Sequence, residues 1–257
     1  MISRVPLLFL AAALLAAACQ SGARGVSRTP VKLPARILFI GNSFTYYNGG
    51  MENHVRELAA SARPPILWQT DRAAKGGATL KILQEQGWVH EKIRMGGYDL
   101  VVLQEDIPEL TEHSVTPFLE QARRFDSEIR GVGGRTALFM AWPYQRLNWV
   151  SLPEIEQAHR AIGRELSLPV APVGRAFERS LKLRPGLPML GPDREHETLH
   201  GTYLGACVLL GTILGERPQE LTYCPTGITS EEAVFLQNVA WDTIKEWQGQ
   251  RSSGGHR

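Results

Sequence analysis

Cysteine is scarce in this chain, with three in 257 residues. Cys19 falls in the N-terminal leader, so Cys207 and Cys224 alone remain for the mature domain and allow one disulfide at most. In an oxidising compartment the two can pair. Cys207 also sits in an apolar helical stretch that suits a buried free thiol, and both alternatives stay open. Charge of one sign is lacking as well. The chain sets 28 basic residues against 26 acidic ones, a formal balance of +2, which gives no electrostatic case for a nucleic-acid partner. Past the leader, no apolar run is long and unbroken enough to cross a bilayer. Internal repeats and low-complexity blocks are absent. What is left, residues 35–250, is one domain's worth of chain and enough for a large core.

The leader is read separately. Arg4 supplies a positive start, Val5 to Leu15 an apolar core too short for a mature spanning helix, and Ala16-Ala17-Ala18 a small-residue cleavage site. Small residues running into Cys19 resemble the lipobox of bacterial lipoproteins, with Ala16 where leucine is more usual. A lipid on Cys19 and a plain secretory signal both remain open, and both export the protein, to the cell envelope or beyond. Gln20, in place of Asp, points to outer-membrane retention in a cell with two membranes. Residues 20–34 read as a flexible tether and 251–257 as a disordered tail.

Within the domain, short apolar runs alternate with longer helical patterns. Strands are predicted over 36–41, 66–70, 99–104, 136–142 and 169–173, and helices over 50–62, 79–95, 115–130, 152–166, 199–214 and 229–247. Runs such as Leu100-Val101-Val102-Leu103 lack polar alternation, which suits strands covered on both faces. The expected fold is α/β, a three-layer α/β/α sandwich around a parallel sheet.

The chemistry is carried by Gly41-Asn42-Ser43-Phe44-Thr45, placed directly after Ile37-Leu38-Phe39-Ile40. It puts a serine hydroxyl at the carboxyl edge of the sheet, where ligands collect in open α/β folds. A free serine is a poor nucleophile and needs a base with an orienting acid. Asp193-Arg194-Glu195-His196 offers both, three residues apart, so that the carboxylate can hold one ring nitrogen while the other faces the serine. The bland alternatives are a helix-capping serine and a surface Asp/His pair.

These blocks resemble the SGNH/GDSL-type hydrolases, serine esterases and acetylesterases with a flavodoxin-like sheet of about five strands. The resemblance spans residues 36–247. It implies Ser43 as nucleophile, His196 as base and Asp193 as its partner, with Gly201-Thr202-Tyr203-Leu204 opening the next helix. It further implies an oxyanion hole from the N–H groups of Ser43 and Gly77, where Gly76-Gly77-Ala78-Thr79-Leu80 stands in the family's glycine position. Two departures are visible. Asn42 replaces the family's aspartate, and Gln104-Glu105 replaces its Gly-x-Asn-Asp block, which makes the Gln104 amide the expected third oxyanion donor. Glu105 has no role the sequence shows. The implied activity is hydrolysis of acyl esters, acetyl or other short chains, on a small-molecule or glycan substrate, through an acyl-serine and without metal or organic cofactor. An acyltransferase would use the same residues.

One rival shares His196. His196-Glu197-Thr198-Leu199-His200 reads His-Glu-x-x-His, the zinc-hydrolase pattern, with Glu220 as an available third ligand. Gly201 directly after His200 and the loop-like Gly215–Pro218 stretch weigh against it, and it leaves the serine block unexplained. An envelope-anchored glycan-binding module without turnover is the other alternative, and the intact Ser/Asp/His set weighs against it. Tyr46, Tyr47 and Trp142 are placed to line the pocket or to pack beneath it. Asn48 and Asn53 carry no assignable role, and His54, His90, His113, His159 and His256 lack partners at ligand spacing.

Overall fold

Five strands form one all-parallel sheet in the order β2-β1-β3-β4-β5. They are β1 (Arg36–Gly41), β2 (Gln69–Ala74), β3 (Leu100–Gln104), β4 (Arg135–Phe139) and β5 (Val170–Ala171). The structure, a computed structural model, describes residues 33–107, 114–149, 151–218 and 220–253. The expected export leader with Cys19, the expected tether up to residue 32 and the last four residues lie outside the described residues.

Strands β1, β3 and β4 are buried almost throughout, which is why their sequences are unbroken apolar runs. Strand β2 is at the edge and reads Gln-Thr-Asp-Arg-Ala-Ala, half-exposed along its length. That polarity displaced the expected strand at 66–70: the apolar Ile66-Leu67 precedes the real one, and Leu67 is 81 % exposed. Edge strands carry polar residues because one flank has no neighbour to exclude water.

The helices are α1 (Ser43–Tyr46), α2 (Met51–Ser61), α3 (Leu80–Gln84), α4 (Gly87–Gly96), α5 (Thr116–Gly131), α6 (Leu152–Glu165), α7 (Val173–Leu183), α8 (Leu199–Leu214) and α9 (Ser230–Ser253). Helices α2, α7, α8 and α9 pack together as one layer, while α3, α5 and α6 make up the other with α4. This is the expected three-layer α/β/α sandwich. Helix α8 is buried from Gly201 to Gly211, matching its all-round apolar sequence. The single helix expected over 79–95 is two, broken where extended Gln86 precedes Gly87, a poor residue for a helix interior. Helix α7 was hidden in the sequence because its first residue, Val173, continues the apolar run of β5. Its buried Val173, Ala176, Phe177 and Ser180 follow helical spacing. Helix α9 runs three residues past the expected domain end at 250.

The chain leaves β1 for β2 on one side and returns to β3 on the other. The carboxyl ends of β1 and β3 therefore flank the point where strand order reverses, the place in open α/β sheets where a crevice forms. Cys207 and Cys224 are both free. Cys207 is buried on α8, where desolvation pushes its thiol well up, and the Cys224 thiol donates to the Ile228 carbonyl at 3.1 Å.

Candidate active site

Ser43 opens α1 immediately past β1 and is 7 % exposed. The residue before it fixes the turn. Asn42 is fully buried; its N–H donates to Gln104 Oε1 (2.9 Å), its Oδ1 accepts from the Phe44 N–H (3.1 Å), and its Nδ2 donates to Asp106 Oδ1 (2.9 Å). A carboxylate only accepts, whereas an amide accepts and donates at once, so the Asn-for-Asp departure has a physical cause: the side chain caps the Phe44 N–H and also donates to Asp106. Gly41 is required because a Cβ there would meet the Thr45 hydroxyl and the Gln104 side chain.

His196 arrives on a tight hairpin. Leu190 bridges to Glu197, the Gly191 N–H donates to the His196 carbonyl (2.7 Å), and the Thr198 N–H to the Met189 carbonyl (3.1 Å). At the tip, Asp193 Oδ1 accepts from the N–H groups of Glu195 and His196 (3.1 Å each) while Arg194 takes a left-handed φ of 57°. The other oxygen, Oδ2, lies 2.7 Å from His196 Nδ1, and His196 Nε2 lies 2.9 Å from Ser43 Oγ. The hydrogen bond from His196 and those from the main chain hold the Asp193 carboxyl below the usual carboxylate range. An ionised Asp193 fixes the proton on Nδ1 and leaves Nε2 free to take one from the serine.

The structure thus brings Ser43, Asp193 and His196 into one hydrogen-bonded row. Tyr47 stacks on the imidazole (centroids 4.2 Å, 11° between planes), and Phe44 meets its edge at 5.7 Å. Trp142 packs beneath the catalytic row; it is 1 % exposed, stacked on Phe44 at 4.4 Å.

The oxyanion expectations divide. Ser43 is the first residue of α1, where a backbone N–H has no intrahelical acceptor. Gly77 follows β2 at the same sheet edge, where the Lys75 N–H donates to the Gly41 carbonyl (3.2 Å); it is exposed, with a φ of 62°. Gln104 is a correction. It is 1 % exposed, and its oxygen accepts from Asn42 N–H and the Thr45 hydroxyl (3.1 Å), while its nitrogen donates to the Glu105 carbonyl at 2.5 Å. Both ends of the amide are engaged in the floor under α1, so Gln104 braces the turn instead of facing a substrate. Glu105, without a role in the sequence, accepts from the Leu80 N–H at 3.0 Å and so holds the start of α3.

The His-Glu-x-x-His pattern does not reach its required geometry. Two histidines four apart share a face only within one helix, and α8 begins at Leu199 with Thr198 as its cap. His196 therefore lies outside the helix, against Ser43. His200 lies 3.5 Å from Glu232, Glu197 is buried, and Glu220 pairs with Arg63 at 3.3 Å.

Three contributors escaped sequence reasoning. Asp106 anchors Asn42 from beyond the end of β3. Asn48 joins the serine and histidine segments, donating to the Glu197 carbonyl and the Thr202 hydroxyl at 2.9 Å each. The loop after β4 clamps the histidine turn through Trp142 Nε1 to the Glu195 carbonyl (2.9 Å), Gln145 N–H to the Arg194 carbonyl (2.9 Å) and an Arg146–Glu195 ion pair (2.6 Å). The Asn48-Gly49-Gly50 run was a turn signal that pointed at the Asn48 joint.

No protein-family profile and no curated protein sequence matches the chain. Solved structures do. A DUF4886 family protein from Bacteroides uniformis superposes with a TM-score of 0.63 at 16 % identity, over 81 % of this chain and 94 % of that one. An acetylxylan esterase from Geobacillus stearothermophilus gives 0.58 at 20 % identity, over 73 % and 98 %. A structure described as a GDSL-like lipase, from Parabacteroides merdae, gives 0.57 at 16 % identity, over 72 % and 97 %. The fold is the one shared by SGNH/GDSL hydrolases.

Proposed function

We propose that this chain is an exported serine esterase of the SGNH/GDSL type that hydrolyses short acyl esters. One observation carries the reading: Ser43 Oγ, His196 Nε2, His196 Nδ1 and Asp193 Oδ2 stand in a row with contacts of 2.9 and 2.7 Å. A surface Asp/His pair has no reason to meet a buried serine from 153 residues away.

In this reading Ser43 Oγ attacks the ester carbonyl carbon as its proton passes to His196 Nε2. The Ser43 and Gly77 N–H groups receive the negative oxygen of the tetrahedral intermediate. The bond to the alcohol breaks, and the alkoxide takes the proton from His196. Water then attacks the acyl-serine, losing a proton to the same nitrogen, and the acid leaves with Ser43 restored. Asp193 stabilises the imidazolium at each stage. Tyr47 covers one face of the imidazole and shields it from bulk water. Acetylated glycans are the favoured substrates, since the structural neighbours include an acetylxylan esterase. The leader supports delivery to the cell envelope, with Cys19 as lipid anchor.

The test uses p-nitrophenyl acetate turnover and fluorophosphonate labelling of the chain without residues 1–19. Labelling and turnover present in the parent and lost in Ser43→Ala and His196→Ala are expected. Chelator-sensitive turnover that survives Ser43→Ala would move the assignment to metal hydrolysis. Glycan affinity without turnover of any acyl ester would make the chain a binding module.

A further inference from the structure

Asn48 lies five residues past Ser43, in a left-handed backbone conformation (φ 49°, ψ 37°). Gly49 and Gly50 continue the turn at φ 93° and 95°. Both protons of its side-chain amide are used. One goes to the Glu197 carbonyl and one to the Thr202 hydroxyl, each at 2.9 Å. The Thr202 hydroxyl in turn donates to Glu197 Oε1 at 3.3 Å. From behind, the Asn48 carbonyl lies 2.8 Å from His54 Nε2, and His54 Nδ1 lies 3.0 Å from the Tyr223 hydroxyl. Asn48 is thus held on one side by α2 and grips the histidine segment on the other. Its grip falls on the residue next to His196 and on the first turn of α8.

Ser43 is fixed to the sheet through Asn42, Gln104 and Asp106, whereas His196 rides a hairpin from a distant part of the chain. Their separation depends on what ties the two segments, and side-chain displacements of an ångström at a reacting pair cost about a hundredfold in rate. We propose that Asn48 is a positioning residue that sets the Ser43–His196 separation through its two amide hydrogen bonds, an inference resting on the serine-esterase reading. The residue type follows from two demands. The backbone needs a left-handed conformation, which Asn, Asp and Gly tolerate. The side chain needs two donors, which among these Asn alone supplies.

That pairing of demands yields the experiment. In the full chain, Asn48→Gly and Asn48→Asp keep the backbone and remove the donors, Thr202→Val removes one arm, and Thr202→Ser restores it. Each is followed by the rate of fluorophosphonate labelling, by kcat and KM for p-nitrophenyl acetate, and by Tm. The expected result is a loss of about tenfold to a hundredfold in kcat and labelling rate for both Asn48 variants, with KM little changed. Thr202→Val should fall between these and the parent, and Thr202→Ser should match the parent. Asn48 variants with parental kcat, or a kcat that falls only in step with Tm, overturn the positioning role while the esterase reading stands. A parent chain that neither labels nor turns over ester overturns the esterase reading, and this inference with it.

Discussion

The indole N–H of Trp142 donates to the main-chain carbonyl of Glu195, 2.9 Å away, inside the turn that carries Asp193 and His196. The same ring is sandwiched between Phe44, at 4.4 Å, and Phe177, at 4.1 Å. One buried side chain therefore touches the residue after Ser43 and steadies the turn before His196. Trp142→Phe keeps an aromatic in the stack but leaves the Glu195 carbonyl without its donor and opens a small void. A stability loss of about 1–3 kcal/mol is expected from thermal or denaturant unfolding. A severalfold fall in kcat at near-constant KM should accompany it, and an unchanged kcat would show that the clamp does not reach the histidine.

Gln104 separates two accounts of the same residue. An oxyanion donor contributes to the transition state and little to folding, so its removal would lower kcat and spare Tm. A brace does the opposite first. Gln104→Leu strands the buried Asn42 N–H, at a cost of about 2 kcal/mol. For a domain of this size that corresponds to a Tm lower by about 4–8 °C. Calorimetry on the variant decides, and a parental Tm with a large kcat deficit would place Gln104 in the oxyanion hole instead.

Asp193 is half-exposed, with its side chain at 48 %, so its removal should not unfold the protein. Its role lies in the ring opposite. Asp193→Asn cannot stabilise the imidazolium and permits the other tautomer, with Nε2 carrying the proton and unable to accept one from Ser43. A fall in kcat of about three orders of magnitude is expected, with Tm within a few degrees of the parent. Because the hydrogen bond from His196 keeps the Asp193 carboxyl below its usual range, the row stays charged well into mild acid. The acid limb of the rate profile should then not follow this carboxylate near its usual range, which a pH series of kcat/KM will show.

Much of this site was legible in the sequence because its parts are local. Gly41–Thr45 is a strand end and a turn, and Asp193–His196 is a single tight turn closed by its own carboxylate. Such units show themselves in residue order and short spacing. The central strands were legible for a related reason, since burial on both faces leaves an unbroken apolar run. Strand β2 was not, because an edge position relaxes the demand for apolar residues. Gln104 was misread because a strand-end amide has the same letters whether it faces solvent or the floor of the turn. Its direction is set by the Gly41 backbone and by Asn42 across the sheet, which no local window contains. The tether from Asn48 to Glu197 and the Trp142 clamp were hidden for the same reason: each joins segments brought together only by the fold.

Glu197 offers a thermodynamic signature of the interior next to His196. It is 3 % exposed, and burial raises its carboxyl to about 8, with hydrogen bonds from its own backbone and Thr202 opposing the shift. The ordinary carboxyl value, 4.5, applies to the unfolded chain. Below pH 4.5 both states hold the proton and the residue costs nothing. Between 4.5 and 8 the unfolded chain releases its proton while the folded chain keeps it, so stability falls as pH rises. Above 8 the loss levels off, at an upper bound on the order of 5 kcal/mol. Glu197→Gln cannot titrate and should escape this slope. Unfolding curves of the two proteins are expected to agree most closely near pH 4.5 and to diverge up to pH 8, with the glutamine variant gaining steadily. Parallel curves across that interval would mean that Glu197 ionises within the fold, and that its carboxylate finds in solution a solvation its buried setting does not provide.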